Sequence, residues 1–201
     1  MDTRRRRGSR GPALQENVTT AIATAAFDEL AGNGWTRLSM DAVARRAGVG
    51  KAAVYRRWPS KEAMLLDLVQ DLVIRHLPDV PDTGELRGDV RAFLELTVRQ
   101  AADPRVLPIG IDLLAESQRN PALAASLREA VAVPRRRAAE EILRRAVDRG
   151  ELQAGLDHSL ATDLLISPLF FRLAITSEPV DGPFLDRMTS ALVAAVAAAG
   201  Q

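Results

Sequence analysis

The chain has 201 residues, 47% of them apolar, enough for one large domain or for a small domain beside a larger one. It contains no cysteine, which excludes disulfides, thiolate nucleophiles and thiolate metal sites, and its two histidines, His76 and His158, lie too far apart in sequence for a local metal or triad cluster. The net charge of +1 hides a split: residues 1–61 carry 12 Lys/Arg against 5 Asp/Glu (+7), whereas residues 62–201 carry 15 against 21 (−6). A basic third joined to an acidic remainder suggests a polyanion-binding module attached to a part that does not bind polyanions.

The opening "MDTRRRRGSRG" is basic but no apolar stretch follows it, so it does not read as a secretory signal; residues 1–11 are expected to form a flexible basic arm. No apolar run approaches the roughly 18 residues of a membrane span, and with the missing cysteines this favours a cytoplasmic protein without a membrane partner. Alternating β-branched runs are absent and Ala, Leu, Arg and Glu dominate, which predicts an all-α chain. A first helix over 12–31 presents Leu14, Val18, Ile22, Ala25, Ala26 and Leu30 on one face, and "GNGW" ends it with Gly32 or Gly34 in the left-handed cap. Ser39 caps a short second helix, "MDAVARRAG". After Gly48 a third helix opens at Gly50 or Lys51 and stops at Pro59; Ser60 caps a fourth that runs to about His76. "LPDVPDTGE" is a loop. Further helices are expected near 86–102, 105–117, 122–149 (kinked or split at Pro134), 158–177 and 183–199, the last two separated by "SEPVDGP".

Two short helices about a glycine-containing turn make a helix-turn-helix pattern. At about 100° per residue, Val54 and Trp58 share one side of the third helix, with Val49 anchoring the turn. Ala52 and Arg56 lie roughly opposite, flanked by Ala53, Tyr55 and Arg57. The outward face is therefore slim and basic. Alanines let a helix sit deep in the major groove, Lys51 and Arg56 are long enough for guanine O6/N7, and Tyr55 and Arg57 are placed for phosphate or base contacts. The alternative is a solvated basic face. Thr36 and Ser39, at the start of the second helix, and Ser60 and Lys61, at the start of the fourth, are candidate phosphate contacts; all four have a plain capping or solvent reading as well. The arm Arg4–Arg7 is a candidate for a neighbouring minor groove.

Residues 14–66, above all "LSMDAVARRAGVGKAAVYRRWPSKEAML", resemble the DNA-binding domain of the TetR family of transcriptional regulators. The resemblance implies a helix-turn-helix domain over 12–59 and a helical effector-binding and dimerisation domain over 60–201. It implies base-facing roles for Lys51, Ala52, Arg56 and Arg57 and phosphate-facing roles for Tyr55 and Lys61. Gly50 departs from the serine or threonine often found at the start of this helix. The segment from "GELQAGLDHSL" to "FLDRM" resembles the effector-domain ending of one TetR subgroup.

"LLISPLFFRLAI", 164–175, is apolar nearly all round and must be covered on more than one side, yet its 12 residues are too few to span a bilayer. With the alanine-rich helix "MTSALVAAVAAAG" it suggests a homodimer through the last two helices, which suits a pseudo-palindromic operator in double-stranded DNA; the alternative is a fully buried core helix in a monomer. A kink at Pro168 beside a cavity lined by Phe93, Phe170, Phe171, Phe184 and Met188, with Gln100, Asp112, Glu116 or Arg172 as polar tips, is one place for a small-molecule effector; each of these also has an ordinary core or surface reading, and no residue is assigned to ligand. His76 is either a relay for such a ligand or a helix C-terminal dipole partner. No cofactor, metal ligand or catalytic residue is expected. The alternatives to a ligand-relieved repressor are a protein-interaction adaptor with a basic N-terminal domain, or a helical enzyme using carboxylates with His158 or His76.

Overall fold

The spacing of Ile22, Ala25, Ala26 and Leu30 puts four buried side chains on one face of α1, Pro12–Arg37. The helical ladder is broken at Gly34, whose φ of 71° and ψ of 171° suit only a residue without Cβ. A further turn follows that buries Trp35. Thr36 therefore lies in this last turn of α1, not at the start of α2 as expected. The computed structural model describes residues 12–74 and 80–200; the arm Arg4–Arg7, the Leu14 side chain and His76 lie outside the described residues.

Ten α-helices and no strands are found among the described residues. After α1 come α2 (Met40–Arg46), α3 (Lys51–Tyr55), α4 (Lys61–Ile74), α5 (Leu86–Gln100), α6 (Val106–Ser117), α7 (Pro121–Leu127), α8 (Val133–Asp148), α9 (His158–Phe170) and α10 (Gly182–Ala198). The chain forms two compact units divided within α4, between Met64 and Leu65.

Pro134 divides the expected 122–149 helix in a specific way. A proline offers no N–H to the carbonyl four residues back, and the chain widens into a π-helical turn, Arg128–Ala132, just before it. A second π-helical turn, Phe171–Thr176, follows Pro168 at the end of α9. α9 and this turn form one helical stretch of 19 residues, longer than the 12-residue apolar run read from the sequence and long and apolar enough by composition to cross a membrane. One side of it, Ala161, Thr162, Leu165 and Leu169, is buried.

The core of the second unit is built from Val90, Phe93 and Leu94 on α5, Ala139, Ile142 and Leu143 on α8, Leu165 and Leu169 on α9, and Leu192 and Val196 on α10. Phe93 and Met188 belong to this packing, whereas Phe170 and Phe171, expected to line a cavity, are exposed. Arg172, expected as a polar tip, is turned away: its guanidinium stacks 3.7 Å from the Phe184 ring centroid and donates to the Pro179 carbonyl at 3.0 and 2.8 Å. Glu116 pairs with Arg119, and Asp112 is half-buried on α6.

A buried carboxylate ties the two ends of this core together. Asp89 is fully buried and accepts hydrogen bonds from the Thr83 N–H (2.6 Å), the Thr83 hydroxyl (2.8 Å) and Arg149 Nη2 (3.0 Å). Glu151 accepts from Arg149 Nε at 2.6 Å and from the Leu86 N–H at the start of α5 at 2.7 Å. A buried charge is tolerable only with such partners. Asp89→Ala, which leaves Arg149 Nη2 and the Thr83 N–H without this buried acceptor, is expected to destabilise the chain by about 3 kcal/mol, measured by urea unfolding.

Candidate nucleic-acid interface

The turn between α2 and α3 is fixed by backbone chemistry. Gly48, at φ 65°, sits in the left-handed position after the Ala47 cap; its N–H donates to the Arg45 carbonyl (3.2 Å) and that of Val49 to the Ala44 carbonyl (3.0 Å). This pair of hydrogen bonds closes α2 and redirects the chain sharply. Gly50, extended at φ −70°, opens α3 without a side-chain cap. At the front of α2 the Ser39 hydroxyl accepts from the Ala42 N–H at 3.2 Å.

α3 is shorter than expected. It ends at Tyr55, and Arg56 and Arg57 form a tightened turn in which the N–H groups of both Arg57 and Trp58 reach the Val54 carbonyl (2.9 and 3.0 Å). Val54 is fully buried and Trp58 nearly so. Opposite them Lys51, Ala52, Tyr55 and Arg56 are exposed, Tyr55 by 50%, and Ala53 is half-buried at the edge. Lys51 forms an ion pair with Asp41 of α2; both partners are well exposed, so the pair is weak and exchanges readily for another anion.

Two of the candidate residues face inward. Arg57 Nε donates to Thr19 Oγ1 on α1 and Nη1 to the Ala53 carbonyl, both at 2.9 Å, so this side chain braces α3 against α1. Lys61 lies 4.3 Å from the Trp35 ring centroid and donates to the Trp35 carbonyl at 3.3 Å. That contact draws the start of α4 against the last turn of α1, which carries Thr36. Ser60 caps α4 by accepting from the Ala63 N–H at 3.2 Å. A serine that accepts through its oxygen keeps its O–H to donate, so capping by Ser39 and Ser60 does not compete with a phosphate contact. Thr36 is exposed.

The comparisons with known proteins meet this geometry. The family model for the N-terminal region of bacterial regulatory proteins of the tetR family matches residues 22–68, and that for the tetracyclin repressor-like C-terminal domain matches residues 80–192. The chain belongs to the TetR family of transcriptional regulators. It is 32% identical over 176 residues, 88% of either chain, to the HTH-type transcriptional regulator YdeS of Bacillus subtilis. It is 31% identical over 178 residues, 88% of this chain and 92% of the other, to the DNA-binding transcriptional repressor TetR of Mycobacteroides abscessus. The solved structure of the TetR family regulator SCO0332 matches with a TM-score of 0.60 at 30% identity, covering 90% of this chain and 98% of that one. Like other TetR-family members, this chain is a non-catalytic DNA-binding regulator, and neither the enzyme nor the adaptor alternative finds support.

The TetR-type domain also exposes cations that the sequence reading passed over. Arg37, in the last turn of α1, and Arg45, in the last turn of α2, are exposed beside the α2–α3 motif. The surplus of positive charge in residues 1–61 was the available signal; their position on the surface was not. Arg46, by contrast, is engaged with a buried carboxylate. Its Nε donates to Glu29 Oε1 at 2.7 Å, and Asn33 Nδ2 donates to Glu29 Oε2 at 2.8 Å, locking α2 onto α1.

The Arg46 hydrogen bond, over the opposing effect of burial and with help from Asn33, holds the Glu29 carboxyl below its ordinary value of 4.5. A carboxylate whose folded pKa is depressed stabilises the fold fully above the unfolded value and loses that contribution as pH falls through the folded one. Glu29→Gln is therefore expected to cost about 1–2 kcal/mol near neutral pH, a difference that shrinks as pH drops below 4.5, measured by urea unfolding across pH.

Proposed function

We propose that the chain is a dimeric repressor that reads a pseudo-palindromic operator in double-stranded DNA with α3 and releases it when a small molecule binds the second unit. The observation that carries this reading is the two-sided α3: Val54 and Trp58 are buried behind it while Lys51, Ala52, Tyr55 and Arg56 stand exposed in front. Such a face fits the major groove, with Arg56 and Lys51 over guanine edges, Ala52 and Ala53 against thymine methyls, and Tyr55 at the backbone. Thr36, Ser39 and Ser60 supply the phosphate contacts that set its register, and Lys61 supports them by holding the start of α4 against Trp35. Arg57 serves this face indirectly, by fixing α3 to α1. The name of the Mycobacteroides relative, a repressor, supports the direction of regulation.

Dimerisation rests on the last two helices. Leu160, Phe170, Phe171 and Ile175 are exposed along α9 and its π-helical turn, Ile175 by 62%, and Ala191, Ala194 and Ala198 form an exposed stripe of small residues on α10. A two-fold pair of these surfaces covers the apolar side chains and places two α3 helices on successive half-sites. The domain division at 59/60 belongs to the same proposal, with α4 continuous through both units and able to carry a change from one to the other. By linkage, the ligand releases DNA only insofar as it binds the non-DNA state more tightly. The regulator works in the cytoplasm, where its DNA lies.

A mobility-shift titration with the DNA upstream of the protein's own gene tests the reading. Saturable, salt-sensitive binding is expected, and Arg56→Ala and Tyr55→Ala are each expected to weaken it by about 1–3 kcal/mol. Unchanged binding in both variants would remove α3 from the interface. Phe171→Glu is expected to convert the dimer to monomer in light scattering; a dimer that persists places the interface elsewhere.

A further inference from the structure

Six arginines of the second unit are half-buried: Arg91, Arg105, Arg135, Arg136, Arg145 and Arg172. Five of them face a carboxylate: Arg91 meets Asp186, Arg105 meets Asp103, Arg136 meets Asp163, Arg145 meets Glu141 and Arg172 meets Glu178. Arg135 is the exception. Its one hydrogen bond among the described residues runs from Nη2 to the amide oxygen Oε1 of Gln100, at 2.7 Å, and it makes no ion pair with them. A guanidinium carries five N–H donors, and a neutral amide answers one.

The setting makes this arrangement costly. Gln100 is the last residue of α5 and Arg135 stands just after Pro134 at the start of α8, two helices that pack on each other. One turn from each along the same helix face lie Leu96 and the pair Ala138–Ala139, all buried. Burial with no opposing charge pushes the Arg135 pKa down. The carbonyl end of α5 tempers the positive charge without neutralising it. The π-helical turn Arg128–Ala132, which sets the register of the following residues, ends three residues before Arg135; such turns recur at functional sites.

We propose that Arg135, oriented by Gln100, is the counter-ion for the acidic group of the effector: a small molecule with a carboxylate on an apolar body. The carboxylate takes the free edge of the guanidinium fork in a bidentate pair, and the body lies along the apolar side chains that flank it. This deepens the reading of the second unit as an effector domain and rests on it. Among the described residues no carboxylate pairs with this cation, so stability is given up for recognition.

The test uses the full-length protein, thermal unfolding and isothermal titration with decanoate and benzoate, each beside its neutral amide. The wild type is expected to be stabilised by at least one acid and not by the matching amide. Arg135→Met, which removes the lone charge, is expected to unfold at a temperature no lower than the wild type and to lose the preference for acid. Arg135→Lys keeps the charge without the fork and is expected to bind the acid about tenfold more weakly. If Arg135→Met does not fold, Arg135→Lys decides: undiminished acid affinity overturns the proposal. So does an acid preference that survives in Arg135→Met, or equal response of the wild type to acids and amides. Operator mobility shifts on the same samples report on the regulator reading separately, since loss of DNA binding there leaves the acid–amide comparison intact.

Discussion

A helix of five residues makes too few internal hydrogen bonds to persist by itself, so α3 exists because its back is held. Val54 is fully buried, Trp58 nearly so, and Arg57 reaches from the turn after α3 to Thr19 on α1. The remaining geometry of the first unit follows from this anchorage. With the inward side chains committed, Ala52, Tyr55 and Arg56 are left on the outer face, and the Gly48 turn sets the angle at which α2 presents that face.

Both units solve the problem of buried charge in the same way, by pairing. Glu29 with Arg46 and Asn33 fixes α2 to α1, and Asp89 with Arg149 and Thr83 fixes the segment before α5 to the end of α8. These are hydrogen-bonded ion pairs between elements distant in sequence, and breaking one leaves an unmatched charge. Against that habit Arg135 is set beside a neutral amide and makes no ion pair among the described residues. The prolines act on the same region through the backbone: both π-helical turns of the second unit lie within a few residues of Pro134 or Pro168.

The two units are built differently. The first unit uses tight caps at Ser39, Gly48 and Ser60 and a small, well-filled core. The second interrupts its helices with π-helical turns and leaves Phe171 and Ile175, 58% and 62% exposed, on a surface that an apolar partner face would cover.

The all-α class, the helix-turn-helix, the Ser39, Gly48 and Ser60 boundaries and the Val54/Trp58 buried face were legible in the sequence, because each depends on residues within one or two turns of each other. So was the family, from "MDAVARRAGV" and "VYRRWPSKEAML". The inward turn of Arg57, the stacking of Lys61 on Trp35, the exposure of Phe170 and Phe171 and the withdrawal of Arg172 onto Phe184 were not. Each is a competition among partners brought together from separate helices, and a long side chain such as arginine can reach several of them. Local spacing determined which residues form helices and which face each helix buries; only tertiary packing decided which cations were used to hold the fold and which were left exposed.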